Sequence, residues 1–184
     1  MGHVDVLSTG ALAPHRRIDY WNELASQTFT PQVVDPCNRA CFDGELKQLS
    51  MHNLTTAEVS SDAAVIHHSK AQAAGARSQQ FFVELQLEGQ SVISQDGLEA
   101  RLHSGDLTIC DTTRPHEVAF ERPVSVLILS LDVAHFRRFV GYPEVVTAVP
   151  MAGTTGLSGL ASTFMRNAWG EIKSEPGTGD RVAT

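Results

Sequence analysis

From Phe81 onward apolar residues recur at every second position. Phe81, Val83, Leu85 and Leu87 alternate with Glu84, Gln86 and Glu88, the period of a half-buried antiparallel strand. Gly89 ends that run. Residues 91–94 and 98–102 flank Gln95-Asp96-Gly97, and Asp-Gly suits a hairpin because both residues tolerate positive φ. Leu107 and Ile109, then Val118 and Phe120, then Leu127, Leu129 and Leu131 continue the alternation. Breaks at 113–115 and 122–123 leave strands too short and too close for helical crossovers, so neighbours must pair antiparallel and close into a small barrel or sandwich. Upstream, Ile18, Trp21, Leu24, Ala25 and Phe29 form one stripe at helical spacing over residues 16–29, which Pro31 stops. Residues 42–59 and 63–66 read as three further strands, and residues 69–78, rich in Ala and Gly, as a loop or irregular edge. Asp132 can cap a short helix reaching Phe139 and Val140. In the tail, Leu157, Leu160, Ala161, Phe164, Ala168 and Ile172 share one face of a second amphipathic helix, broken by Pro176-Gly177-Thr178-Gly179. The expected class is mainly β, an antiparallel barrel or jelly roll with a leading helix and a carboxy-terminal amphipathic helix.

Length and charge narrow the function. The 184 residues suffice for one domain with a core plus an appendage. Fourteen Lys and Arg against twenty-one Asp and Glu give a net charge of -7, with no basic cluster to neutralise phosphates, so this piece alone should bind nucleic acid poorly. Cys37, Cys41 and Cys110 are too few for a disulfide framework and read as reduced thiols of a cytoplasmic protein. No apolar run has the length of a membrane span, and residues 1–9 lack the basic start and apolar centre of a secretion signal.

Several short motifs fall in a fixed order: Tyr20-Trp21, Phe42-Asp43-Gly44, Glu84-Leu85-Gln86-Leu87-Glu88-Gly89, Gly105-Asp106-Leu107 and Asp111-Thr112-Thr113-Arg114-Pro115-His116. With them the chain resembles the ligand-sensing domain of AraC-type transcriptional regulators over about residues 15–175. The resemblance implies a cupin-like barrel that binds a small-molecule effector, helices that form a homodimer, and DNA read by a carboxy-terminal pair of helix-turn-helix units. Residues 1–150 would then be the effector-binding barrel with its leading helix. Residues 151–184 would be a dimerisation and linker helix, and the DNA-binding half would lie beyond Thr184. His67 and His116, at strand ends opening toward a barrel mouth, are the expected ligand contacts. Asp111 and Arg114 are further candidates, although they flank a turn that they can hold by side-chain to backbone hydrogen bonds. Leu160, Phe164 and Ala168 are expected to be buried against the barrel or in a dimer contact, and Trp21 to be a core or interface anchor.

The competing class is a stand-alone cupin enzyme or small-molecule binding protein, because such a barrel can hold a metal on histidines, of which the chain has eight. Two ligands on one strand must stand two residues apart to share the lumen, whereas His67 and His68 are adjacent and project to opposite faces. His103 and His116 lie on separate predicted strands and would still need a third ligand. No nucleophile elbow, phosphate loop or motif-spaced carboxylate pair occurs. The expectation is a binding domain and not an enzyme, with no metal, no cofactor and no membrane partner.

Overall fold

Short alternating runs divided by turn residues give an almost entirely antiparallel architecture, described in a computed structural model over residues 4–51, 54–75 and 79–174. A first strand, β1 (Asp5–Ser8), leads into helix α1 (Pro14–Thr28). Pro14 stands at the first turn, where a missing N–H costs nothing, and Ile18, Trp21, Leu24 and Ala25 form the buried stripe. Strands β2 (Val33–Pro36), β3 (Gly44–Met51), β4 (Leu54–Ser61) and β5 (Ala64–His68) follow. The Ala- and Gly-rich stretch expected as a loop contains instead a short helix, α2 (Lys70–Gly75), started by reciprocal hydrogen bonds between Ser69 and Gln72. Its continuation at 76–78 lies outside the described residues.

Strands β6 (Gln80–Glu88), β7 (Ser91–Gln95), β8 (Leu98–Leu102), β9 (Leu107–Asp111), β10 (His116–Phe120) and β11 (Val124–Asp132) complete the barrel. Asp96 and Gly97 close the β7–β8 hairpin with φ of 52° and 78°, as Asp-Gly requires. Asp132 caps helix α3 (Val133–Phe136), its Oδ1 accepting from the Ala134 and His135 amides. Helix α4 (Gly156–Ser174) ends the described chain.

The strands form two sheets, ordered β1-β3-β4-β11-β6-β9 and β2-β5-β10-β7-β8. Packed face to face, they make the expected cupin-like barrel. The six-stranded sheet is covered on both sides. Its outer face carries Leu49, Leu85, Leu107 and Leu127, which pack under α4 through Trp169, Met165 and Ile172. Its inner face carries Leu46, Val59, Phe82, Val126 and Ile128. The alternation in β6 therefore does not divide core from solvent: the polar set, Glu84 and Gln86, points into the protein at 6% and 0% exposure.

Helix α4 docks by a different face from the one its apolar spacing suggests. Of the expected stripe, Leu157, Leu160 and Phe164 are exposed, Ala168 is half-buried and Ile172 packs on the sheet, so the barrel does not cover Leu160 and Phe164. The docked face runs through Ser162, Met165, Trp169 and Ile172. Trp169 donates through Nε1 to the Glu58 carboxylate, and Lys173 Nζ lies 2.6 Å from the same oxygen. Burial alone would raise that carboxyl, but the hydrogen bonds from Lys173 and Trp169 outweigh it and hold Glu58 below the usual carboxylate range.

Candidate functional site

Between the sheets lies a cavity of about 70 Å³. Its walls come from α1 (Trp21, Ala25), from Phe29 and Gln32 just beyond its end, from the inner face of β3, β4, β6 and β11, and from Val34, Ile66, His116, Val118 and Phe120 of the other sheet. Helix α1 closes one side because Trp21 lies flat on Gly44, where any Cβ would meet the indole at 2.9 Å. That contact accounts for Phe42-Asp43-Gly44: Gly44 makes room for the indole, and its amide donates to Thr9 Oγ1.

Four polar residues interrupt the apolar wall: Gln32, Ser61, whose hydroxyl donates to the Asp62 carbonyl, and the two that stand out, Glu84 and His116. Glu84 sits between Ile128 and Thr108 in the sheet register and lines the cavity. No described residue donates a hydrogen bond or offers a cation to its carboxyl, and burial pushes that group up to about 7. Gln86, Gln95 and Thr108, also buried, are satisfied, whereas the buried Thr30 hydroxyl has no partner among the described residues. Gln86 accepts from Ser91 and donates to the Glu88 carbonyl, Gln95 pairs with both backbone groups of Asp111, and Thr108 donates to the Val149 carbonyl. Glu84 is thus a buried acid with a vacant hydrogen-bonding capacity facing the cavity, an arrangement that native interiors rarely tolerate without purpose.

His116 is the second. Its ring stacks 4.7 Å from that of His68, and burial, then the neighbouring His68, push it down to about 4. Its Nδ1 lies 3.3 Å from the Arg114 carbonyl, which can only accept, so the proton of the neutral ring stays on Nδ1 and Nε2 is left as an acceptor. His68 is wholly buried, with Nδ1 2.6 Å from the Pro31 carbonyl oxygen and Nε2 3.0 Å from that of Thr112, and it backs His116. His116 also borders an open surface hollow with His67, Asp96 and Glu117, so it stands between cavity and solvent.

The other residues expected at the site lie elsewhere. His67 points to the outer face, half exposed, with Nδ1 3.0 Å from Glu117. Asp111 and Arg114 form a latch: Arg114 Nε donates to Asp111 at 3.0 Å, and its terminal nitrogens reach Asp96 in the β7–β8 turn and Thr147 Oγ1. Asp111 also accepts from the Thr113 amide. His103 falls in a turn 3.5 Å from Asp106, not on a strand beside His116. Among the described residues no group of three or more His, Cys, Asp or Glu could hold a metal ion, and no helix is long and apolar enough to cross a membrane.

Gly105-Asp106-Leu107 serves the tail. Asp106 takes hydrogen bonds from the amides of His103 and Gly153, Leu107 bridges Met151, and the Gly105 carbonyl accepts from Ser162 of α4 at 2.8 Å. The motif therefore holds the segment that launches the last helix. Residues 21–183 match the AraC-binding-like domain, nearly the whole chain and all of the motifs above except Tyr20. The chain belongs to the AraC-binding-like domain family. An uncharacterized protein in the nit 5' region of Bacillus sp. (strain OxB-1) is 30% identical over 145 residues, 77% of this chain and 56% of its own. The crystal structure of the AraC-like transcriptional activator CuxR superposes with a TM-score of 0.79 over 93% of this chain and 62% of that one, at 13% identity, a likeness of fold. The chain spans less than two thirds of the length of both. In this AraC-binding-like domain the cavity walls are fixed by the leading helix and the two sheets, while Gly105-Asp106-Leu107 and Arg114 fasten the tail and the turns around them.

Proposed function

We propose that this AraC-binding-like domain senses a small-molecule effector for a transcriptional regulator, with the effector bound in the cavity between the sheets. The observation that carries the reading is Glu84: a buried carboxyl with no partner among the described residues, facing a mostly apolar cavity shared with a neutral His116. His116 is the ligand contact retained from the four expected. Asp111 and Arg114 position the rim, and His67 faces the outer hollow on the approach to it.

The exposed stripe of Leu157, Leu160 and Phe164, continued by the half-buried Ala168, supports a homodimer contact made by α4. With a net charge of -7, DNA contact is assigned to a helix-turn-helix half elsewhere in the full protein, acting in the cytoplasm. Effector binding would shift how α4 sits on the six-stranded sheet, because the same strands line the cavity on one face and carry the helix on the other.

Screening small metabolites for a rise in melting temperature tests the reading, since a ligand that binds only the folded state stabilises it. A hit whose effect survives in Phe164→Asp and vanishes when Val126→Trp fills the cavity is the expected result. A ligand indifferent to the filled cavity would place the effector site elsewhere. Turnover of a bound compound would favour the enzyme alternative.

A further inference from the structure

We propose that the cavity selects a small, mostly hydrocarbon molecule carrying a single non-anionic head that donates a hydrogen bond to Glu84. The inference rests on the cavity being the effector site and adds the chemistry of what enters it. Three features define that chemistry.

Most of the wall is apolar, including Trp21, Phe29, Phe82, Val118, Val126 and Ile128, so the body of the ligand must be apolar. A sugar or other polyhydroxylated molecule would leave most of its hydroxyls unpaired there.

Among the described residues none donates to the Glu84 oxygens, His116 commits its one N–H to the Arg114 carbonyl, and Ser61 spends its hydroxyl on the Asp62 carbonyl; Gln32, also on the wall, offers both a donor and an acceptor. A head that donates, such as an amine or a hydroxyl, fills the vacancy at Glu84. A carboxylate or phosphate head finds no Lys or Arg on the wall and faces Glu84 directly. The negative charge of the chain as a whole disfavours an anion further.

Size is the third. A cavity of about 70 Å³ is under half of the roughly 150 Å³ that holds a benzene in an engineered apolar cavity. It takes a body of a few carbons as it stands. A larger body must push aside Trp21 of α1 or Phe29 at its end.

The test is a series matched in size: 1-butylamine, 1-butanol, butanoate and pentane, titrated to millimolar concentrations and followed by the amide NMR shifts of Glu84, His116 and Ile128. Amine or alcohol should bind, with pentane weaker and butanoate weakest; which of the two leads tells a cationic head from a neutral one. Glu84→Gln should weaken the leading compound by about tenfold or more while leaving pentane unchanged. Glu84→Leu, which keeps the volume without any polar group, should abolish the preference among heads. Butanoate binding as well as the amine and alcohol, or all four binding alike, overturns the assignment of Glu84 as head receptor while leaving the cavity as the ligand site. Failure of all four to shift the cavity amides overturns both.

Discussion

Gly153 lies so close to Gly105 that a Cβ built on it would stand 1.7 Å from the Gly105 carbonyl oxygen. Backbone meets backbone there, so no side-chain rotation can relieve a substitution. Gly105 in turn has φ of 97° and offers its carbonyl to Ser162. Two glycines thus fix where the tail crosses the sheet edge before α4 begins.

Gly153→Ala is expected to cost about 3 kcal/mol or more and to dislodge the start of α4. Urea denaturation measures the loss, and hydrogen exchange at the Leu107 and Met151 amides, which bond each other's carbonyls, shows where it acts. Unchanged exchange at those amides would mean that the contact is not tight.

Trp169→Ala should destabilise by about 3–5 kcal/mol, the range for deleting a buried indole. Trp169 is 2% exposed and sits at the centre of the leucine cluster under α4. The loss should exceed that of Phe164→Ala several-fold, because Phe164 is 72% exposed. Equal effects of the two would reverse the assigned faces of the helix.

Phe164→Asp should leave the melting temperature of the monomer nearly unchanged and weaken self-association. Sedimentation velocity over a concentration series checks it. A folding defect in dilute solution would show that Phe164 packs within its own chain.

Glu84 makes stability depend on pH in a defined sense. Its carboxyl is raised from 4.5 to about 7 by burial, so the stability it contributes is fully present below 4.5 and is lost as pH rises through about 7. His116 acts from the other side: lowered from 6.5 to about 4, it contributes stability that is present above 6.5 and lost as pH falls through about 4. Glu84→Gln removes only the first dependence. Relative to the parent, its stability should rise between pH 4 and pH 8 by on the order of 3 kcal/mol, as 1.36 kcal/mol per pH unit implies. Chemical denaturation at the two pH values, without ligand, measures it. A difference that stays constant would mean that the carboxyl is solvated or partnered.

The strand runs, the Asp-Gly hairpin, the stripe of α1 and the Asp132 cap were legible in the sequence because each depends on neighbouring residues. Legibility ended where an element has two covered faces. In β6, alternation identified two faces correctly, but Glu84 and Gln86 read as the wet face because nothing local reveals that α4 covers the other. In α4, Leu157, Leu160, Ala161 and Phe164 outweighed the docked row, which begins with a serine. The spacing of Ser162, Met165, Trp169 and Ile172 was the available signal. Asp111 and Arg114 illustrate a different limit. A charged pair beside a turn looks the same in sequence whether it faces a ligand or braces the turn, and here Arg114 spans Asp96, Asp111 and Thr147.

Glu84 and Leu85 are joined by one peptide bond, yet one side chain looks into the cavity and the other touches the layer beneath α4. Sensor and output would then sit back to back on a wall one strand thick. A tug on the carboxyl is at the same moment a nudge to the leucine, about 3.8 Å away along the chain. Information would cross this protein through its thinnest dimension, without a relay of side chains running its length.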